Sequence, residues 1–166
     1  KVYFRLSTHP KLSLEYGSLK EEINKLGSTS LGNVRKIVIS TRQSKLPDPD
    51  QIGNAGSFFK NPVVNSSVVN NLKTKFPKLP VFNDHSGGMK LAAGWLIEQC
   101  GWKGKRIGDA AVHDKQALVI VNLANATGKE LFDLSEQIKE SVFEKFGITL
   151  EREVEVQNGI NPNPSN

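Results

Sequence analysis

Ala117-Leu118-Val119-Ile120-Val121, the run from Thr127 through Leu131, Leu134, Ile138, Val142 and Phe146 to Gly147, and the segment Ile148 to Val156 together decide the fold class. The first run is apolar along its whole length, as a strand covered on both faces must be. Thr127 has the side chain of a helix N-cap, the apolar positions after it recur at helical spacing, and Gly147 supplies a stop. In the last segment Ile148, Leu150, Val154 and Val156 share one parity while Glu151, Glu153 and Glu155 share the other, the pattern of a strand with one dry and one solvated face. Strand, long amphipathic helix and second strand predict an α+β domain, with a mixed or antiparallel sheet packed with several helices.

Working outward, Ala110 to Val112 reads as another strand. Leu91, Trp95, Leu96 and Cys100 suggest a helix ending at Gly101, and Val68, Val69, Leu72 and Phe76 one that ends before Pro77. Leu31, Val34, Ile37 and Val38 follow Ser30 at helical spacing until Leu46-Pro47-Asp48-Pro49 ends the pattern. Ser18 with Glu21 resembles a capping box for a short helix through Ile23 and Leu26 to Gly27, and Val2 to Leu6 reads as a short strand. Gly53-Asn54-Ala55-Gly56-Ser57 has almost no side-chain bulk and reads as a loop with an accessible backbone, anchored by Phe58-Phe59 and followed by Lys60-Asn61-Pro62. The polar tail from Gln157 to Asn166 is expected to be disordered.

A chain of 166 residues can bury a core without staples, and no apolar run approaches the roughly 20 residues that span a bilayer. No membrane association is expected. Lys1 followed at once by strand-like residues suggests a chain that begins in mid-protein. Cys100, the single cysteine, excludes an internal disulfide and fits a reducing cytoplasm. The net charge of +5 comes from 22 basic against 17 acidic residues spread along the chain, with no basic block, zinc-finger spacing or aromatic-glycine signature, so no nucleic-acid partner is expected. His9, His85 and His113 lie far apart, and no metal is expected.

The residues taken alone say little about catalysis. Ser57, His113 and Asp114 make a triad on paper, but Gly-x-Ser-x-Gly is absent because Phe59 occupies its last position. Gly53, Gly56 and Gly87-Gly88 suit anion-binding nests, although tight turns use such glycines more often. Ser57 after a glycine is ordinarily a turn serine, Lys45 a solvated lysine, and Glu153 one of three solvated carboxylates.

Read in order, Lys45-Leu46-Pro47-Asp48-Pro49 and Gly53-Asn54-Ala55-Gly56-Ser57-Phe58-Phe59-Lys60-Asn61-Pro62 closely resemble the serine loop of the UDP-N-acetylenolpyruvoylglucosamine reductase (MurB) family. The blocks from Lys90 to Gly101, Ala111-Val112-His113, Gln116 to Val119, Asn125-Ala126-Thr127 and Leu150-Glu151-Arg152-Glu153-Val154 extend the likeness from about Tyr3 to Val156. Tyr16 in Tyr16-Gly17-x-Leu19 is similar to the substrate-closing tyrosine of the family's type I branch.

The resemblance implies the C-terminal, substrate-binding part of an oxidoreductase of peptidoglycan biosynthesis. That enzyme reduces UDP-N-acetylglucosamine enolpyruvate to UDP-N-acetylmuramate with NADPH and a bound FAD. It assigns proton donation to Ser57, stabilisation of the enol-like carboxylate to Glu153, and contacts to the nucleotide diphosphate or closure over it to Tyr16, Lys45, Asn61 and Gln116. Residues 1–44 would be the end of a preceding domain with connecting helices, 45–147 the substrate-binding domain, 148–156 a strand returning to the FAD-binding domain, and 157–166 the tail. The family's N-terminal FAD-binding region has no counterpart here, so the chain alone is expected to be inactive, to bind neither FAD nor NADPH, and to be a monomer. Asp109, Arg152 and Glu155 depart from the family's usual pattern, two of them flanking Glu153. A non-catalytic UDP-sugar-binding module and, less favoured, a basic nucleic-acid-binding domain are the other readings.

Overall fold

The computed structural model describes residues 1–15 and 19–156, in two compact units, Lys1–Lys45 and Leu46 onward. The first holds two helices, α1 (Leu19–Lys25) and α2 (Leu31–Lys45). Gly27, at φ +68°, turns the chain after α1, and the Ser30 hydroxyl caps α2 by accepting the Asn33 N–H at 3.1 Å. Tyr16, the expected Ser18 cap and the tail from Gln157 lie outside the described residues. The strand expected at Val2 to Leu6 does not form: Val2, Tyr3, Phe4 and Leu6 are exposed and no strand runs beside them among the described residues. Without a neighbour to take its N–H and C=O groups, an apolar alternation has nothing to pair with.

Among the described residues the second unit contains two antiparallel sheets and three helices. Four strands, β1 (Gly53–Ser57), β7 (Val119–Asn122), β6 (Ala110–Val112) and β5 (Arg106–Ile107), lie side by side in that order. A smaller sheet places β4 (Met89–Leu91) between β2 (Val63–Val64) and β3 (Val81–Asn83). Every pairing is antiparallel, which selects one of the two sheet types open to the sequence. Helices α3 (Ser66–Lys75), α4 (Ala93–Gln99) and α5 (Gly128–Phe146) complete the unit.

Residue chemistry accounts for the long helix. Thr127 accepts the Glu130 N–H, the Glu130 carboxylate accepts the Thr127 N–H at 2.7 Å, and Gly147 at φ +66° ends the helix. Leu134, Ile138 and Val142 are buried with Leu91, Leu96, Ile97, Val112, Ile120 and Leu150 in the main core. The opposite face of the sheet buries Ala111, Val119 and Val121 under Leu46 and Ile52. Strand β7 is thus covered on both sides, as its unbroken apolar run requires.

Three further expectations are corrected. Gly53–Ser57 is a strand, because pairing with β7 outweighs the poor strand propensity of Gly and Asn. Leu91 belongs to β4, and α4 starts at Ala93. Ile148–Val156 is not a regular strand: its one bridge pairs Arg152 with Phe59, and its alternation survives as buried Ile148 and Leu150 against exposed Glu151, Glu153 and Glu155.

Candidate active site

Strand β1 is where the glycines matter. Its register against β7 slips between Asn54 and Ser57, so one extra residue bulges out, and Gly56 takes φ +73° there. Asn54 brackets the bulge, donating to the Ile52 carbonyl at 2.9 Å and accepting the Gly56 N–H at 3.0 Å. The bulge re-aims the residue after it, and Ser57 emerges exposed at the strand's end. β1 lies at the edge of its sheet, so its outer side has no partner strand among the described residues.

The chain then dives inward. Phe58 and Phe59 are buried, their rings 5.5 Å apart in an edge-on arrangement, which ties Ser57 to the core. The Phe58 backbone joins two further segments: its N–H donates to the Leu118 carbonyl at 2.7 Å, and its carbonyl accepts the Glu153 N–H at 2.9 Å. Lys60 N–H donates to the Glu151 carbonyl at 2.9 Å, completing the bridge around Phe59 and Arg152. Ser57 thus precedes the residue whose carbonyl holds the Glu153 N–H, and both Ser57 and Glu153 are exposed. The Lys60 ammonium pairs with Glu151, whose hydrogen bond and charge, with a smaller contribution from Glu153, raise the lysine above its ordinary value against desolvation.

Asn61 and Gln116 each reach the start of α4. The N-cap residue Ala92 has no side-chain hydrogen bond to offer, and Asn61 Oδ1 takes its place by accepting the Ala93 N–H at 2.9 Å. That bond requires the oxygen to face inward, leaving the Nδ2 donors outward. Gln116 Oε1 lies where a side chain on Gly94 would meet it at 3.2 Å, so the lack of a side chain at Gly94 makes room for this amide.

Of the residues assigned to the site, Ser57, Asn61, Gln116 and Glu153 lie in the second unit, on three stretches of chain whose backbones are hydrogen-bonded at Phe58 and Leu118. Lys45 is the exposed last residue of α2 in the first unit, and Tyr16 lies outside the described residues. The paper triad fails on geometry. Val119 pairs with Ser57 on one side and accepts the His113 N–H on the other, which puts the serine and histidine strands two spacings, about 9.6 Å, apart. An open pocket of about 380 Å³, lined by Val68, Lys75, Phe76 and Phe146, contains none of the assigned residues. Among the described residues no three His, Cys, Asp or Glu side chains gather to hold a metal ion, and no helix is long and apolar enough to cross a membrane. Sequence reasoning missed the Lys60–Glu151 pair and the inward hold on Arg152; only the unusual arginine beside Glu153 signalled the latter.

The fold is an antiparallel α+β domain in which the segment carrying the Ser57 hydroxyl and the Asn61 amide is hydrogen-bonded at Phe58 to Leu118 on one side and to Glu153 on the other. Residues 48–157 match the family model described as UDP-N-acetylenolpyruvoylglucosamine reductase, C-terminal domain, and the chain belongs to that family. It is 46% identical over 153 residues to the UDP-N-acetylenolpyruvoylglucosamine reductase of Bacteroides fragilis, covering 92% of this chain and 46% of that protein. To the reductase of Porphyromonas gingivalis it is 49% identical over 154 residues, 92% of this chain and 46% of the relative. The Flavobacterium johnsoniae reductase is 45% identical over 157 residues, 93% and 47% of the two. The chain thus spans just under half the length of these curated relatives.

Proposed function

We propose that this chain is the substrate-binding part of a cytoplasmic flavoenzyme that reduces UDP-N-acetylglucosamine enolpyruvate to UDP-N-acetylmuramate with NADPH, for peptidoglycan synthesis. The observation that carries the reading furthest is the Phe58 backbone, which joins Ser57 to Glu153 while the next residues lead to Asn61. In this reading residues 45–147 form the substrate domain, and 148–156 lead back to a flavin-binding region contributed by the other half of the enzyme.

A bound flavin would supply the hydride for the terminal carbon of the enol ether. No residue of this chain is assigned to holding it. β1 lies at the sheet edge, and the exposed, nearly bulk-free Gly53 and Ala55 leave Ser57 open to a ligand.

Hydride addition leaves an electron pair on the carbon that bears the carboxylate. Ser57 gives its hydroxyl proton to that carbon, and exposure lets the resulting alkoxide recover a proton from solvent. A serine hydroxyl is a poor acid, so the step relies on a strongly basic carbon and a fixed donor. The bulge and the two buried phenylalanines fix it. Glu153, across Phe58, steadies the enol-like carboxylate as charge develops.

Asn61 and Gln116 offer N–H donors, suited to phosphate oxygens, and Lys45 adds a point charge. Tyr16 closes over the nucleotide. Titrating the chain with UDP-N-acetylglucosamine enolpyruvate while following amide chemical shifts tests the reading. Shifts clustered at Lys45, Ser57, Asn61 and Gln116 are expected, and a saturating ligand that leaves Ser57 and Asn61 unmoved contradicts it.

A further inference from the structure

The segment from Ile148 to Val156 raises a problem that its backbone alone does not solve. It carries Glu153, yet a single bridge holds it beside Phe59, through the Lys60 and Glu153 N–H groups. One residue of slippage along an extended segment turns every side chain to the other face. Such a slip would bury Glu153 and expose Arg152.

Arg152 opposes that slip. Its Nε donates to Ser135 Oγ at 2.8 Å, its guanidinium pairs with Glu136, and its Cζ lies 4.2 Å over the Phe132 ring, all three partners on α5. Ser135 is fully buried, and its hydroxyl donates onward to the Phe132 carbonyl at 2.6 Å, so the arginine enters a polar notch that is already built. A planar fork that bonds, pairs and stacks at once accepts one placement where a lysine would accept several.

We infer that Arg152 is a positioning residue: its clamp on Phe132, Ser135 and Glu136 sets the register of the returning segment and so holds Glu153 outward, across Phe58 from Ser57. The inference rests on the reading of Glu153 as a site carboxyl. The clamp joins the site to the best-capped helix of the domain, so α5 becomes part of the active-site scaffold.

The test uses R152M, which keeps most of the side-chain volume, and R152K, which keeps the charge, in the full protein that carries this chain. Amide hydrogen exchange at Lys60 and Glu153 reads the register directly. R152M is expected to speed exchange at both by about tenfold or more while Val121, in the central strand, stays protected. R152K, whose ammonium reaches Glu136 but cannot fork to Ser135, gives an intermediate rate. In turnover, R152M slows substrate reduction about tenfold with KM within about twofold and leaves flavin reduction by NADPH unchanged.

Unchanged exchange at Lys60 and Glu153 in R152M overturns the inference. So does full substrate reduction in R152M when E153Q is slow. E153Q alone separates the two claims: if it reduces substrate normally, the role given to Glu153 falls, while the exchange rates still decide whether Arg152 sets its position.

Discussion

The side-chain amide of Asn61 has two ends: its oxygen holds the Ala93 N–H, and in the proposed function its nitrogen is the end that meets the ligand. N61D tests this division. The carboxylate still accepts from Ala93, so thermal stability should change little, but it removes the donors and sets a negative charge against the diphosphate. Affinity for the UDP-sugar is expected to fall at least about tenfold, or about 1.4 kcal/mol, by calorimetry. Equal affinity for both proteins removes Asn61 from the ligand contacts. At this scale the sequence was informative in an uneven way. Ser57, Asn61 and Gln116 stood out through motif resemblance, since no spacing rule brings position 116 to the start of a helix at 93. Lys60 pairs with Glu151 from 91 positions away, a partnership that only the tertiary fold creates.

Among the elements, the long helix was legible to its ends because both caps are local chemistry: Thr127 with Glu130, and Gly147 in the left-handed region. T127A should cost about 1 kcal/mol in denaturant unfolding, with the slope unchanged; no loss of stability contradicts the cap. Short strands were not legible. β2, β3 and β5 are two or three residues long, below the length at which alternation can be counted, and each exists through its neighbour. β1 was mistaken for a loop because its residues disfavour strands, while the bulge before Ser57 depends on Gly56. A G56A variant meets no atom within 4 Å, so any cost comes from φ rather than from crowding. It is expected to destabilise by about 1 kcal/mol or more and to disturb the amide signals of Ser57. Signals that stay in place would show that the bulge does not aim the serine.

For the whole molecule, carboxylates set the acid limit. Lys90 first, then Ser86, hold Asp84 well below its ordinary 3.8. The Thr127 backbone and hydroxyl lower Glu130 from 4.5. At Glu136 burial pushes upward, but Lys139 and Arg152 together outweigh it, and the net shift is down. Depressed values stabilise the fold above the ordinary carboxylate range and lose that effect as pH falls through the folded values. The thermal midpoint should therefore hold to about pH 5 and drop below about pH 4, less steeply in D84N; a midpoint unchanged at pH 3 contradicts the pairing. The α+β class and the main core followed from periodicity, whereas the candidate site needed the fold, because Ser57 with Asn61, Gln116 and Glu153 come from three separate stretches of chain. The central claim is that this half of the enzyme delivers the proton. Stopped-flow absorbance on the full enzyme bearing S57A measures it: flavin reduction by NADPH should proceed at the wild-type rate, while reoxidation by UDP-N-acetylglucosamine enolpyruvate slows by about a hundredfold or more. Equal slowing of both half-reactions, or of neither, contradicts Ser57 as the proton donor.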